Sequence, residues 1–201
     1  MRMPLRHTMF ALGLLSSASP LLAQQAATRW TPSINVGAAL PRGDVRSFTN
    51  TGYTDGVALD VAGAFPVGLR AEAGYTHFSF TYPDRYTQGT HFDGKRNQYN
   101  GGLDLVLPVH TRFVTPYLIG GAGFYHLSVH ENCEALMLPD ASAATTPTCA
   151  GDESAHLGWS GGVGFDLPGG FLGSRIEARY TKIPIPGGAY SYVPLTFALR
   201  F

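Results

Sequence analysis

From Ile34 to its last residue the chain repeats one pattern, segments of roughly ten residues in which every second side chain is apolar, separated by residues that favour turns. Eight such segments lie near Ile34–Leu40, Gly56–Phe65, Leu69–Tyr82, Gln98–Leu107, Val114–Ser128, His156–Leu167, Ser174–Lys182 and Tyr190–Phe201. The last is the plainest: Val193, Leu195, Phe197, Leu199 and Phe201 alternate with Pro194, Thr196, Ala198 and Arg200. A two-residue period is the signature of a strand with one greasy face, and it excludes amphipathic helices, whose period is 3.6. The 25 glycines and 14 prolines would interrupt helices in any case. The expectation is an all-β fold with an even number of strands.

The links between these segments alternate in length, which periodicity alone does not require. Segments two and three are joined by Phe65-Pro66-Val67-Gly68, four and five by Pro108-Val109-His110-Thr111-Arg112, and six and seven by Pro168-Gly169-Gly170-Phe171-Leu172-Gly173. The other four links run from Pro41 to Asp55, Pro83 to Asn97, Val129 to Ala155 and Ile183 to Ala189, and most are long and polar. Short and long links therefore segregate to opposite rims of an eight-stranded antiparallel up-and-down barrel, with both termini at the short-link rim. Transmembrane barrels distribute their turns and loops in this way.

The charged residues keep to one face of the sheet. Asp60 opposes Val57, Leu59, Val61 and Phe65; Arg70 and Glu72 oppose Leu69, Ala71, Ala73 and Tyr75; Asp104 opposes Leu103, Leu105 and Leu107. Asp166 opposes Leu157, Trp159, Val163 and Phe165; Arg175, Glu177 and Arg179 oppose Ile176, Ala178 and Tyr180; Arg200 opposes Leu199 and Phe201. In a soluble barrel, such as a lipocalin-like one, the charged face would be outside. Two details favour the inverse. Acidic and basic members are nearly balanced, as a closed interior requires. They are also interleaved with the small residues Gly102, Gly158, Ser160, Gly162 and Gly164, which leave room for long arginines in an eight-stranded interior barely wide enough for side chains. The expectation is a lumen plugged by ion pairs, with hydrocarbon against the wall.

The amino terminus agrees with export. Arg2 and Arg6 precede an apolar stretch from Met9 to Leu15, then small residues and Leu21-Leu22-Ala23. This order reads as a signal peptide over 1–23, cleaved after Ala23 or alternatively after Ala26, leaving a barrel domain over 24–201. No later segment offers eighteen consecutive apolar residues, so a closed barrel is the one way left to span a bilayer. Zero net charge with 14% charged residues supplies no basic field for nucleic acid. No cofactor fingerprint is present: Gly121-Ala122-Gly123 and Gly162-Val163-Gly164 neither complete a dinucleotide motif nor open a helix.

With the aromatic terminus Phe201 and the Arg175-x-Glu177-x-Arg179-Tyr180 run, the chain resembles small eight-stranded outer-membrane families: the OmpA membrane domain, OmpX and the opacity-type adhesins. The resemblance covers nearly the whole mature chain. It implies a monomeric barrel in the cell outer membrane, surrounded by outer-membrane lipid, with Phe201 recognised by the barrel assembly machinery. It leaves any extracellular ligand of the loops open and implies no catalysis.

Further candidates lie near the long-link rim. Cys133 and Cys149 share the longest link, and the oxidising envelope favours a disulfide between them, the alternative being two free thiols. His126, His130, Glu131 and His156 could approach as a metal group, though few soft ligands are available, and no metal is expected. His126 and Ser128 are alternate residues on one strand, with Glu131 or Glu134 near, the types needed for acyl hydrolysis. The pair is similar to the His-x-Ser of barrel lipid A deacylases but lacks an Asn after the Ser, so that enzyme stands as an alternative, beside a narrow passive pore. Tyr75, Tyr82, Tyr99, Tyr117, Tyr125, Trp159 and Tyr180 are expected to anchor the membrane interface.

Overall fold

The computed structural model describes residues 29–62, 66–82, 92–109, 111, 113–133, 152–167, 169 and 172–201, with Tyr82, Phe92, Asp93, Glu131, Asn132, Cys133 and Asp152 described by backbone alone. Strands β1 (Arg29–Arg42), β2 (Gly52–Ala62), β3 (Gly68–Tyr82), β4 (Phe92–Pro108), β5 (Thr115–Cys133), β6 (Asp152–Leu167), β7 (Gly173–Ile185) and β8 (Gly188–Arg200) pair in chain order and close, β8 against β1, into one antiparallel barrel. The eight-stranded up-and-down fold is thus the one the alternation predicts.

The wall is inside-out. Leu103 and Phe124 are each 67% exposed on its exterior, with Ile34, Val57, Leu69, Leu105, Val163, Phe165, Ile176, Leu195 and Phe197 around the circumference. Inside, Arg70 is 2% and Glu177 5% exposed. Each strand supplies both surfaces because successive side chains alternate, and the paired registers keep the faces in phase around the ring.

Several strands are longer than the alternation suggested. β4 begins at Phe92 rather than Gln98, and β5 runs to Cys133 rather than Ser128; they pair in unbroken register from Phe92↔Cys133 to Pro108↔Tyr117. These polar ends look like loop in sequence because above a bilayer neither face need be apolar. β2 starts at Gly52, before the expected Gly56, and is described as far as Ala62; the expected end at Phe65 lies outside the described residues. The last outer link is also tighter than expected: only Pro186 and Gly187 separate β7 from β8, and Gly187 has φ 83°. A Pro-Gly pair with positive φ at its second residue meets the requirement of a type II turn. The first outer link carries a 3-10 turn (Gly43–Ser47) and then folds back on β3, where the Asn50 N–H donates to the Ser79 carbonyl at 2.9 Å and the Thr81 N–H to that of Phe48 at 2.9 Å.

Candidate functional site

The lumen has two differently built layers. Nearer the short-link rim, all nine charged residues picked out by alternation are joined in one continuous network. Arg200 reaches Asp166 at 2.9 Å, Asp166 holds Arg175 at 2.7 Å, and Arg175 also holds Asp60 at 3.0 Å. Asp60 then pairs with Arg70 at 2.7 Å, and Arg70 crosses the lumen from β3 to Glu177 on β7 at 2.7 Å. Arg179 completes it, touching Glu177, Glu72 at 2.8 Å and Asp104 at 3.1 Å. Register explains much of this. Asp60 stands opposite Arg70 on β2–β3, Arg70 opposite Asp104 on β3–β4, and Asp166 opposite Arg175 on β6–β7. The forked guanidinium, with its five donors, is the cation suited to holding two or three carboxylates at once.

Tyr117 and Tyr125 depart from expectation. They belong to the lumen, 2% and 5% exposed, and not to the membrane interface. The Tyr117 hydroxyl donates to Glu177, and its ring lies 5.5 Å from the Arg70 guanidinium and 5.4 Å from that of Arg175. The cause is glycine. A Cβ at Gly164 would fall 2.2 Å from the Tyr117 ring, and one at Gly158 would fall 2.7 Å from the Tyr125 ring. Two of the small residues expected to make room for arginine therefore make room for tyrosine. Tyr75, Tyr99, Trp159 and Tyr180 do face outward, where Tyr75 and Tyr99 pack with ring centres 5.1 Å apart and Trp159 and Tyr180 at 5.7 Å. The side chain of Tyr82 lies outside the described residues.

Nearer the long-link rim the lumen is aromatic and aliphatic. Phe78 meets Tyr190 and Tyr192 edge-on at 5.6 and 5.5 Å, within a cluster that includes Ala39, Tyr125, Leu127 and Ile183. Val45, from the 3-10 turn, and Ile185 pack against it from above. Gln98 donates to the Tyr192 hydroxyl at 2.5 Å, and the Arg96 guanidinium lies 4.3 Å from the Tyr190 ring centre. Sequence reasoning missed this layer because Arg96 was assigned to a loop. The signal was available in the continued alternation of Gly94, Arg96 and Gln98, which all face inward. Between the layers lies a cavity of about 70 Å³ with a mixed lining that includes Glu72, Ser160, Arg179, Tyr125, Tyr192 and Pro194. It is of a size for a few water molecules.

On the outer face, cross-strand register assembles a polar row: Tyr53, His77, Asn97, Ser128 and Glu153 stand side by side on β2 to β6. Asn97 Oδ1 accepts from the Tyr75 hydroxyl at 2.9 Å and lies 2.8 Å from His77 Nδ1. His126 occupies the row below, opposite Tyr99 and Ala155. His126 and Ser128 thus share the outward side of β5; no hydrogen bond joins them among the described residues. The acid beside Ser128 is Glu153. The side chain of Glu131 and all of Glu134 lie outside the described residues. His156 cannot join His126 and His130 in a metal group, because the pleat turns it into the lumen opposite Tyr125 while they face outward. Among the described residues, no three His, Cys, Asp or Glu side chains are grouped to hold a metal ion. The signal segment 1–23, Cys149 and the side chain of Cys133 lie outside the described residues. Phe201 follows β8, half exposed, with its N–H donating to the Pro32 carbonyl at 3.0 Å.

No protein-family model matches the chain, and no curated protein does. Solved structures do. Neisserial surface protein A (NspA) superposes with a TM-score of 0.58 at 14% identity, over 87% of this chain and 97% of that one. OprG, an outer-membrane protein of Pseudomonas aeruginosa, gives 0.51 at 13% identity over 88% and 98%. The outer-membrane enzyme PagL gives 0.51 at 15% identity over 84% and 97%. The fold is that of the small eight-stranded outer-membrane barrels. The apolar belt around its wall suits that fold to hydrocarbon on the outside.

Proposed function

We propose that this protein is a non-catalytic, monomeric outer-membrane barrel with a plugged lumen, and that it acts as a structural or adhesive element through its outer rim. The observation that carries the reading is the lumen: an ionic layer and an aromatic layer fill it in series, and the space between them is of water size. A barrel so filled offers no path to a solute, which leaves the rim and the wall as its working surfaces. Phe201 is assigned to recognition by the assembly machinery, and Cys133 and Cys149 to a disulfide bracing the longest outer link. Deleting residues 134–151 from cells displaying the protein tests the adhesive role: adhesion to host-cell or matrix surfaces is expected to fall while the folded barrel keeps its heat-modifiable gel mobility. Undiminished adhesion would reduce the role to a structural one.

A second reading is favoured by one observation, the placement of His126 and Ser128 on the outward side of β5 with Glu153 next to Ser128. It makes the barrel an acyl hydrolase of lipid A. Ser128→Ala in expressing cells decides it: an unaltered lipid A acylation pattern retires the reading.

A further inference from the structure

The exterior of β7, β8 and β1 is apolar from the short-link rim upward through Ile176, Ala178, Leu195, Phe197, Ile34 and Val36, and then ends in two cations. Lys182 and Arg42 stand on either side of Ser191 in one cross-strand row, Arg42↔Ser191↔Lys182, and Trp159 extends the row on β6. No other charged residue faces outward on these three strands. Within the adjoining link, the 3-10 turn adds Arg46 against Asp44. Neither Lys182 nor Arg42 has an ion-pair partner among the described residues, in contrast to the four arginines of the ionic layer, each of which has at least one.

Geometry and surroundings narrow the ligand. Two inter-strand spacings separate the Cα atoms of Lys182 and Arg42 by about 10 Å, a gap that two long side chains can close around one tetrahedral anion. The Tyr180 hydroxyl donates to Ser191 Oγ at 3.1 Å, so Ser191, itself 7% exposed, keeps a proton of its own to donate. Trp159, in the same row, packs against Tyr180 in the row below, the arrangement of an interfacial aromatic belt. Beside them the wall is smooth: Gly161 stands between Gly120 and Tyr180, and Ala178 lies below, so the surface is low enough to seat an acyl chain. A cation on the lipid side is costly at mid-bilayer and nearly free at the interface, where its charge meets headgroups.

We infer that Arg42, Ser191 and Lys182 form a site for the phosphate of an outer-leaflet lipid, with Trp159 and Tyr180 beneath the headgroup and the Gly120–Gly161–Ala178 strip under an acyl chain. The inference goes beyond the proposed role and rests only on the barrel sitting in a bilayer. Trp30 and Trp159 are the two tryptophans of the chain, so Trp30→Phe leaves Trp159 as the sole reporter. The full mature barrel is reconstituted in phosphatidylcholine nanodiscs carrying graded mole fractions of diphosphorylated lipid A, and Trp159 emission is followed. A saturable change is expected. It should weaken by about fivefold for each cation lost in Lys182→Gln and Arg42→Gln, by about 25-fold in the double variant, and be retained in Lys182→Arg. Dephosphorylated lipid A and millimolar inorganic phosphate should produce no response. An equal response to dephosphorylated lipid, displacement by inorganic phosphate, or an unchanged double variant would overturn the site. Failure of the membrane reading is distinguishable, since the protein would then not enter nanodiscs as a heat-modifiable species at all.

Discussion

The two layers of the lumen close the same cylinder with opposite chemistry. The inner layer is a chain of arginines and carboxylates in which six of the nine members contact two or three others, so its stability is collective. The outer layer is packed rings and aliphatics with a few polar tips, so its stability is mainly burial. Losing one partner from the first strands a charge in a place that water reaches poorly, whereas losing one polar tip from the second leaves a nearly intact apolar cluster. In this barrel ions fill the interior behind the apolar belt, and ordinary core packing takes over as the wall nears the long-link rim.

That contrast can be broken at graded points. The largest effect should come from Arg179→Ala, which leaves Glu72, Asp104 and Glu177 without their shared cation; a loss of about 3 to 5 kcal/mol is expected from denaturant unfolding in detergent. Tyr117→Phe removes a hydroxyl that donates to Glu177 while keeping the ring over Gly164, and should cost about 1.5 to 3 kcal/mol by the same measurement. Tyr192→Phe in the outer layer takes away the acceptor of Gln98 and should cost only about 1 kcal/mol. Smallest of all should be the effect of raising sodium chloride to about 1 M, where surface pairs are screened but buried ones are not, so the wild-type unfolding midpoint should scarcely move. A large drop with salt, or a Tyr192 effect exceeding that of Arg179, would mean that the inner layer is hydrated and the contrast is mistaken.

The same contrast explains what could be read from the chain before its fold was known. Along Arg175-x-Glu177-x-Arg179 the alternation is between ions and apolar residues, so the phase of the strand and the membership of the inner layer were both legible. The partners within that layer were less so. That Arg70 reaches Glu177 depends on β3 and β7 facing each other across a closed ring, a relation no local pattern contains. Tyr117 and Tyr125 were misplaced because an aromatic on an alternating strand suits either face; what turned them inward was the absence of side chains at Gly164 and Gly158 on the neighbouring strand. The outer layer was hidden for a third reason. Above the hydrocarbon belt the exterior no longer needs to be apolar, so Lys95, Arg96 and Asn97 read as loop although they extend β4 in full register with β5.

Single-channel recording in a planar bilayer tests the central claim most directly. With both layers in place the inserted barrel should show no conductance steps, while a variant that opens both, combining Arg179→Ala and Glu177→Ala in the ionic layer with Phe78→Ala and Tyr192→Ala in the aromatic one, should begin to flicker. Steady ohmic steps from the wild-type protein would contradict the account, because ions would then be passing where paired charges and packed rings are said to leave no path.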